Sequence, residues 1–157
     1  MRRRGLPFVL LAIAAGIVAF ALLRPSRPRG STIRASWTLT PGVLNPEVTQ
    51  ATIGGTICRH GWTRTVRPPV SYTNGLKRRG LRAYGLNGSM SGYQEDHLIS
   101  LELGGSPTDP RNLWPEPYPR ASRVDVIENE LNREVCDGRL SLADAQRRES
   151  ALKHADG

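Results

Sequence analysis

The feature that most constrains this chain is the stretch from Tyr93 to Tyr118, which reads YQEDHLISLELGGSPTDPRNLWPEPY. It places Asp96-His97 inside an alternating apolar pattern, continues with a Gly-Gly and Pro-containing loop, and sets Asn112 before a short apolar run. Alternation with a period of 2 predicts a strand. A carboxylate and an imidazole at the end of a strand can bind a divalent metal and accept a proton. The pattern is therefore typical of a chemical site whose geometry a loop closed by Asn112 would fix.

The predicted strand carries a geometric condition. Side chains alternate along a strand, so Asp96 and His97 project to opposite faces. They can reach one point only if the strand ends or bulges there. Leu98, Ile99, Leu101 and Leu103 then supply the buried anchor. A second short strand is expected over Asn112-Leu113-Trp114, stopped by Pro115 and Pro117.

Two helices are predicted after Pro119. The first has an apolar stripe and ends at Asp137-Gly138; its stripe consists of Val124, Ile127, Leu131 and Val135. Glu128 lies at the margin of this stripe, with Asp125 next outward, so it is either a solvent-facing edge residue or a group aimed at the strands. The second helix begins at Ser141 and Asp144, which resemble a capping box, and its apolar side is Leu142, Ala145 and Leu152.

The basic charge is concentrated near the N-terminus. The chain has 22 Lys and Arg against 14 Asp and Glu, a net charge of +8, and six of the 22 precede residue 30, which leaves 16 basic against 14 acidic groups. Arg2-Arg3-Arg4 precede 19 uncharged residues, 5–23, which is close to the length of a membrane-spanning helix. The same residues fit a signal peptide with a cleavage site at Ala19-Phe20-Ala21, and a buried core helix is the third interpretation. We expect residues 1–29 to be a signal peptide or membrane anchor, and the rest of the chain to be extracytoplasmic, either secreted or membrane-anchored.

Cysteine usage agrees with export. Cys58 and Cys136 are the two cysteines of the chain, and an oxidising compartment would let them pair. Closing a loop of about 80 residues would contribute on the order of 4 kcal/mol to stability. The alternative is two buried thiols that never meet.

The segment that follows the leader reads as a connection to the domain. Residues 30–46 are polar and rich in turn residues, with Pro41-Gly42 and Asn45-Pro46, so we interpret them as a linker. The domain itself is expected over 47–157. Its first part, Glu47 to His60, fits either a short helix or a strand.

A basic segment lies between Glu47 and Glu95, where no acidic residue occurs and seven Lys and Arg do. Trp62, Tyr72 and Tyr84 are interleaved with these charges, as on surfaces that neutralise phosphates and stack bases. The alternative is a solvated helix face, around Thr73 to Ala83. From Glu95 onward the chain contains 13 acidic and 8 basic residues, so the acidic half of the domain contains the Asp-His pair.

The order Asp96-His97, Leu101, Gly104-Gly105 and Asn112-Leu113, followed by a helix, resembles the core of the HNH nucleases, the ββα-metal or His-Me finger superfamily. The wider likeness is to small exported bacterial HNH-like or uncharacterised proteins. The resemblance implies an α+β fold with a small ββα-metal core and flanking helices, preceded by the N-terminal transmembrane or signal helix.

The resemblance also implies roles for single residues. His97 would be the general base that activates water, Asp96 would bind one divalent metal ion, and Asn112 would hold the loop or complete the metal site. The ion would be Mg²⁺ in the first place, with Mn²⁺ or Zn²⁺ as alternatives. Nucleic acid would be the substrate, DNA rather than RNA, with Arg78, Arg79, Arg82 and Arg111 as the candidate phosphate contacts.

The chain departs from the family pattern at two positions. Ser100 stands where the family has Pro, and no histidine occurs near Arg120 or Ala121, where the last histidine of the motif is expected. A further metal ligand would then have to come from the helix, as Glu128 or Asp125. The function expected is a metal-dependent HNH-like endonuclease; the alternative is a catalytically inactive scaffold with a binding or structural role in the cell envelope.

Overall fold

The structure is a computed structural model, and it describes residues 33–155. These residues belong to the unit that runs from Thr32 to Gly157. The predicted signal peptide or membrane anchor, residues 1–29 with its apolar run 5–23, lies outside the described residues. Within residues 33–155, none of the helices combines the length and the apolar character that crossing a bilayer requires.

The described part of the chain has an α+β fold, as expected. A two-stranded antiparallel sheet of β1 (Tyr93–His97) and β2 (Leu113–Pro117) lies among four helices. The helices are α1 (Trp62–Val66), α2 (Val70–Ala83), α3 (Arg120–Cys136) and α4 (Leu142–Ala155). Short 3₁₀ turns occur at Ile53–Gly55, Met90–Gly92, Leu101–Leu103 and Pro110–Asn112. Between Glu47 and His60 the chain thus has a 3₁₀ turn rather than a strand.

Strand β2 runs through both prolines that were expected to stop it. Pro115 pairs with Glu95 and Pro117 pairs with Tyr93. The hydrogen bonds that flank the ladder, Leu98 N to Asn112 O and Tyr118 N to Gly92 O, involve the even-numbered residues on either side of β2, so the hydrogen-bonded positions of this segment are the even-numbered ones. Odd-numbered residues therefore direct their amide positions away from β1, where a missing N–H costs no ladder bond.

The hairpin has two differently covered faces. On one face, Gly80 of α2 lies so close to Pro115 that a Cβ at Gly80 would be 2.9 Å from the proline ring. On the other face, Gln94 hydrogen-bonds Asp125 of α3 and Asp96 contacts Lys153 of α4. Alternation along β1 therefore assigns Glu95 to the α2 side and Asp96 to the side of α3 and α4.

The main hydrophobic core lies between the loops and the two C-terminal helices. Its buried members are Val48, Ile57, Ile99, Leu103, Leu131, Val135, Leu142 and Ala145. A disulfide at the edge of this core joins Cys58, which packs partly against it, to Cys136, with their Cα atoms 5.5 Å apart. The predicted pairing is therefore confirmed, and it fixes the end of α3 to the segment before α1.

Residues 33–46 are part of the domain, which corrects the linker predicted over 30–46. Ala35 is buried against Leu98 and Trp114, and its amide donates to Lys153 O at 3.1 Å. Asn45 N donates to Gly104 O, and Leu44 forms a β-bridge with Gly105. Turn residues produced the linker interpretation, but here the turns place backbone groups against the Gly104-Gly105 loop.

Candidate functional site

A polar cavity of about 320 Å³ opens between the hairpin and α3. Asp96 and His97 both line it, although neighbours in β1 alternate between faces and His97, the last residue of the strand, pairs with Leu113. The two residues therefore border one cavity, while the group of convergent ligand atoms contains Asp96 and not His97. The other lining residues are Arg67, Gln94, Ser100, Leu101, Glu102, Asp125, Glu128 and Asn129.

Three carboxylates converge on this cavity. Asp96 of β1 and the α3 residues Asp125 and Glu128 each offer one oxygen, and these oxygens lie within 4.8 Å of one another. Asp125 and Glu128 are three residues apart, which places them on one face of the helix. Glu128 is buried and directed at the strands, so the open question about its orientation is answered.

The amide of Gln94 joins two of these carboxylates. Its Nε2 lies 3.2 Å from Asp125 Oδ1 and 3.4 Å from Asp96 Oδ1, and its Oε1 accepts a hydrogen bond from the Tyr118 hydroxyl. Gln94 projects from the same face of β1 as Asp96. It therefore holds the two aspartates side by side.

Lys153 is a site residue that sequence reasoning missed. It is fully buried, and its Nζ donates to Asp96 Oδ2 at 2.7 Å and to Glu128 Oε1 at 2.6 Å. Glu149, one helical turn earlier, lies 3.3 Å from the same nitrogen, and the His97 carbonyl accepts a further hydrogen bond. The ammonium of α4 thus fixes the carboxylates of β1 and α3 from behind the cavity.

The cluster has fewer positive than negative groups. Burial alone would lower the pKa of Lys153, but the charges of Asp96, Glu149 and Glu128 outweigh burial and raise it, so Lys153 stays protonated. Burial raises the pKa of Glu128 well above its ordinary value, against the opposing charge of Lys153, and it also raises the pKa of Glu149. Buried charges require partners. A proton or a bound cation must therefore make up the balance.

The geometry around His97 defines which nitrogen can act as a base. Its Nε2 lies 3.1 Å from the Pro107 carbonyl oxygen, which can only accept a hydrogen bond. The neutral ring therefore carries its hydrogen on Nε2, and Nδ1 keeps its lone pair. Burial lowers the pKa of His97, and this outweighs the hydrogen bond to the Pro107 carbonyl, which acts in the opposite direction. The lowered pKa favours the neutral, proton-accepting ring.

Asn112 holds the loop and is not part of the carboxylate cluster, so its assignment as a metal ligand needs correction. Its Oδ1 accepts from Ile99 N at 3.0 Å and Val43 N at 3.4 Å. Its Nδ2 donates to Ile99 O and Ser106 O, both at 3.0 Å. All the polar groups of this fully buried side chain are engaged with backbone. The loop-holding role that was the alternative is the one the structure shows.

The arginines proposed as phosphate contacts lie elsewhere. None of Arg78, Arg79, Arg82 and Arg111 lines the cavity of Asp96 and His97. Arg79 lines a different cavity with Glu95, on the α2 side of the hairpin, and Arg111 pairs with Asp109 at 2.6 Å. Arg67 is the arginine that lines the carboxylate cavity.

Comparison of the chain with protein-family models, with curated proteins and with solved structures found no match.

Proposed function

We propose that this protein is a metal-dependent endonuclease of HNH-like fold that hydrolyses phosphodiester bonds in nucleic acid outside the cytoplasm. The observation that carries the proposal is that Asp96, Asp125 and Glu128 direct oxygens at one cavity that His97 also lines. The order of elements supports it, because a β1–β2 hairpin followed by α3 is the arrangement expected of a ββα-metal core. The disulfide supports an oxidising compartment.

The donor set fits a hard divalent cation. Three carboxylate oxygens are ligands that Mg²⁺ and Mn²⁺ prefer, whereas zinc sites usually contain nitrogen or sulfur. The three oxygens lie within 4.8 Å of one another, whereas neighbouring ligands of an octahedral Mg²⁺ are about 3 Å apart, so a bound ion would draw the carboxylates closer together. The cation would replace the protons that the buried glutamates otherwise retain. Among the ions considered, Mg²⁺ and Mn²⁺ are therefore favoured over Zn²⁺.

Each residue then has a defined task. His97 Nδ1 takes the proton of the attacking water, since Nε2–H is held by the Pro107 carbonyl. Asp96, Asp125 and Glu128 hold the cation, and Lys153 and Gln94 keep Asp96 oriented. When bound, such an ion stabilises charge on the phosphate and on the leaving oxygen. Arg67 is placed to meet a phosphate that enters the cavity.

The test is cleavage of plasmid and of single-stranded DNA by the full chain with Mg²⁺ or Mn²⁺. His97→Ala should reduce the rate at least about 100-fold, the contribution of a general base. Asp125→Asn should also abolish cation-dependent cleavage, whereas Glu130→Gln, an exposed residue of the same helix, should not. Cleavage by His97→Ala at the wild-type rate would refute the proposal.

One observation favours the second candidate, an inactive scaffold with a binding role in the cell envelope. Lys153 Nζ already lies between Asp96 and Glu128, where a cation would be attracted. If the ammonium satisfies the cluster, Mn²⁺ will produce no binding heat in calorimetry and the wild type will not cleave DNA or RNA. Saturable Mn²⁺ binding that Asp125→Asn removes would exclude this candidate.

A further inference from the structure

A second cavity, of about 420 Å³, adjoins the carboxylate cavity. The two share Glu102 and Asn129 as lining residues, and we refer to this pair of adjoining cavities along α3 as the groove. The size of the second cavity falls within the roughly 300–1,000 Å³ of small-molecule sites. The disulfide cysteines Cys58 and Cys136 line it, so a covalent bond holds together the two chain segments at this end of the groove.

The second cavity combines a ring with positive charge. Trp62 lines it while packing partly against the main core, so the indole is held in place. Arg59 and Arg133 line it from opposite sequence segments, and both are exposed. Neither they nor Arg67 form an ion pair within residues 33–155. Two acidic residues also line this cavity: Asp137 is already paired with Arg139 at 2.6 Å, and Glu102 lies near Arg67, whose charge opposes the rise in the pKa of Glu102 that burial causes.

We propose that this groove is the substrate track, with a subsite for an unstacked nucleotide of single-stranded nucleic acid next to the phosphate that would be cut. Trp62 stacks the base, Arg59 and Arg133 hold the phosphate beyond it, and Arg67 holds the phosphate nearer His97. A concave wall with one half-buried ring admits a single base but not a base pair, which is why single strands are favoured. This inference rests on the proposed function and replaces Arg78, Arg79 and Arg82 as the substrate-binding arginines.

The test measures, by fluorescence anisotropy, the binding of a fluorescein-labelled single-stranded DNA 12-mer to the full chain in EDTA. Arg59→Gln/Arg133→Gln should weaken binding about tenfold and reduce the dependence of log K on log salt by about 0.7, since the two arginines contact one phosphate and each phosphate contact on a single strand contributes about 0.7. The control Arg78→Gln/Arg82→Gln removes the same charge from α2 and should change affinity less than about twofold.

The tryptophan is tested separately from folding. Trp62→Phe keeps a ring and should retain most of the affinity, whereas Trp62→Met keeps an apolar side chain without a ring and should lose about tenfold. Three results would overturn the groove assignment. They are a loss of affinity in the α2 control that equals or exceeds that of the groove variant, the absence of binding by the wild type, and binding of duplex as tightly as single strand.

Binding in EDTA involves no cleavage, so the two proposals fail separately. If binding depends on the groove residues but cleavage does not depend on His97, the groove assignment stands and the nuclease proposal is refuted. If cleavage depends on His97 but not on Arg59, Arg133 or Trp62, the nuclease proposal stands and the groove assignment is refuted.

Discussion

Replacing Lys153 by Met removes the one ammonium that holds Asp96 and Glu128 together, while keeping the length and much of the volume of the side chain. In the wild type this nitrogen lies 2.7 Å from Asp96, 2.6 Å from Glu128 and 3.3 Å from Glu149, with no solvent exposure. The variant therefore leaves three buried carboxyl groups without their cation. Removing one partner of a buried ion pair typically costs about 3–5 kcal/mol.

The expected loss is at the lower end of that range, about 3 kcal/mol at pH 7.5, because Glu128 and Glu149 can retain protons. Burial already raises the pKa of both groups, and the raising increases when the ammonium is gone. A carboxyl group whose pKa is higher in the folded state than in the unfolded chain favours folding at low pH, and this contribution is lost as the pH rises. The difference between variant and wild type should therefore be smaller at pH 5 than at pH 8.

The assay is urea unfolding of the full, oxidised chain in EDTA, where 3 kcal/mol corresponds to a midpoint lower by about 1.5–2 M. The matched control is Lys77→Met, the other lysine of the chain, whose half-buried nitrogen donates only to the carbonyls of Met90 and Tyr93. It should cost about 1 kcal/mol. Mn²⁺ should then restore more stability to Lys153→Met than to the wild type, since a cation can replace the lost ammonium. A Lys153→Met midpoint equal to the wild type at pH 7.5 would refute this reasoning.

Two further predictions concern the residues on either side of the site. Burial raises the pKa of Glu95 to about 8, against the opposing charge of Lys77, and one of its oxygens has no hydrogen-bond partner. Because this value exceeds the ordinary 4.5 by 3.5 units, wild-type stability should fall as the pH rises from 4.5 to 8. Allowing for the partial exposure of Glu95, the free energy of unfolding of Glu95→Gln in urea should exceed that of the wild type by about 2 kcal/mol at pH 9 and equal it at pH 5. A difference that stays constant with pH would contradict the raised pKa of Glu95 as its cause. Asn112→Ala should cost about 3 kcal/mol, because it leaves backbone groups of Ile99 and Ser106 without partners. Its Mn²⁺ affinity, measured by calorimetry at 15 °C, should match the wild type, and a loss of binding heat by the folded variant would return Asn112 to the list of ligands.

The parts of the fold that sequence reasoning predicted are those with a local periodic signal. The apolar stripe of Val124, Ile127, Leu131 and Val135 predicted α3, although Ile127 is exposed rather than buried with the other three. Asp137-Gly138 predicted the end of α3, where Gly138 has a φ of 72°. Ser141 and Asp144 predicted the start of α4, and the Ser141 hydroxyl does accept from the Asp144 amide. These signals depend on neighbours within four residues, so a single sequence contains them.

The errors arose where tertiary context decides. Pro115 and Pro117 are strand breakers in general, and only the register with β1 shows that their positions need no donor. Residues 33–46 have the composition of a linker, and only the packing of Ala35 and Asn45 shows that they belong to the domain. The composition of a segment limits which conformations it can adopt, whereas its tertiary contacts determine whether it packs in the domain or connects to it.

Lys153 shows why the carboxylate cluster was only half predictable. In sequence, Glu149 and Lys153 are an i,i+4 pair in a terminal helix, which is the usual pattern of a solvated helix surface. What distinguishes this pair is that α4 packs against α3, so that both side chains lose contact with water. No property of residues 142–155 alone records that packing.

The burial of Lys153 also bears on the histidine that the family pattern leads one to expect. Replacing a neutral nitrogen ligand by the carboxylates of Asp125 and Glu128 adds negative charge to a site that already contains Asp96. Such a set is unstable in a buried position unless a positive group stays beside it when no cation is bound. Lys153 supplies that group from α4, outside the hairpin and α3. The carboxylate set and the flanking helix therefore depend on each other, and the charged cluster is formed jointly by β1, α3 and α4.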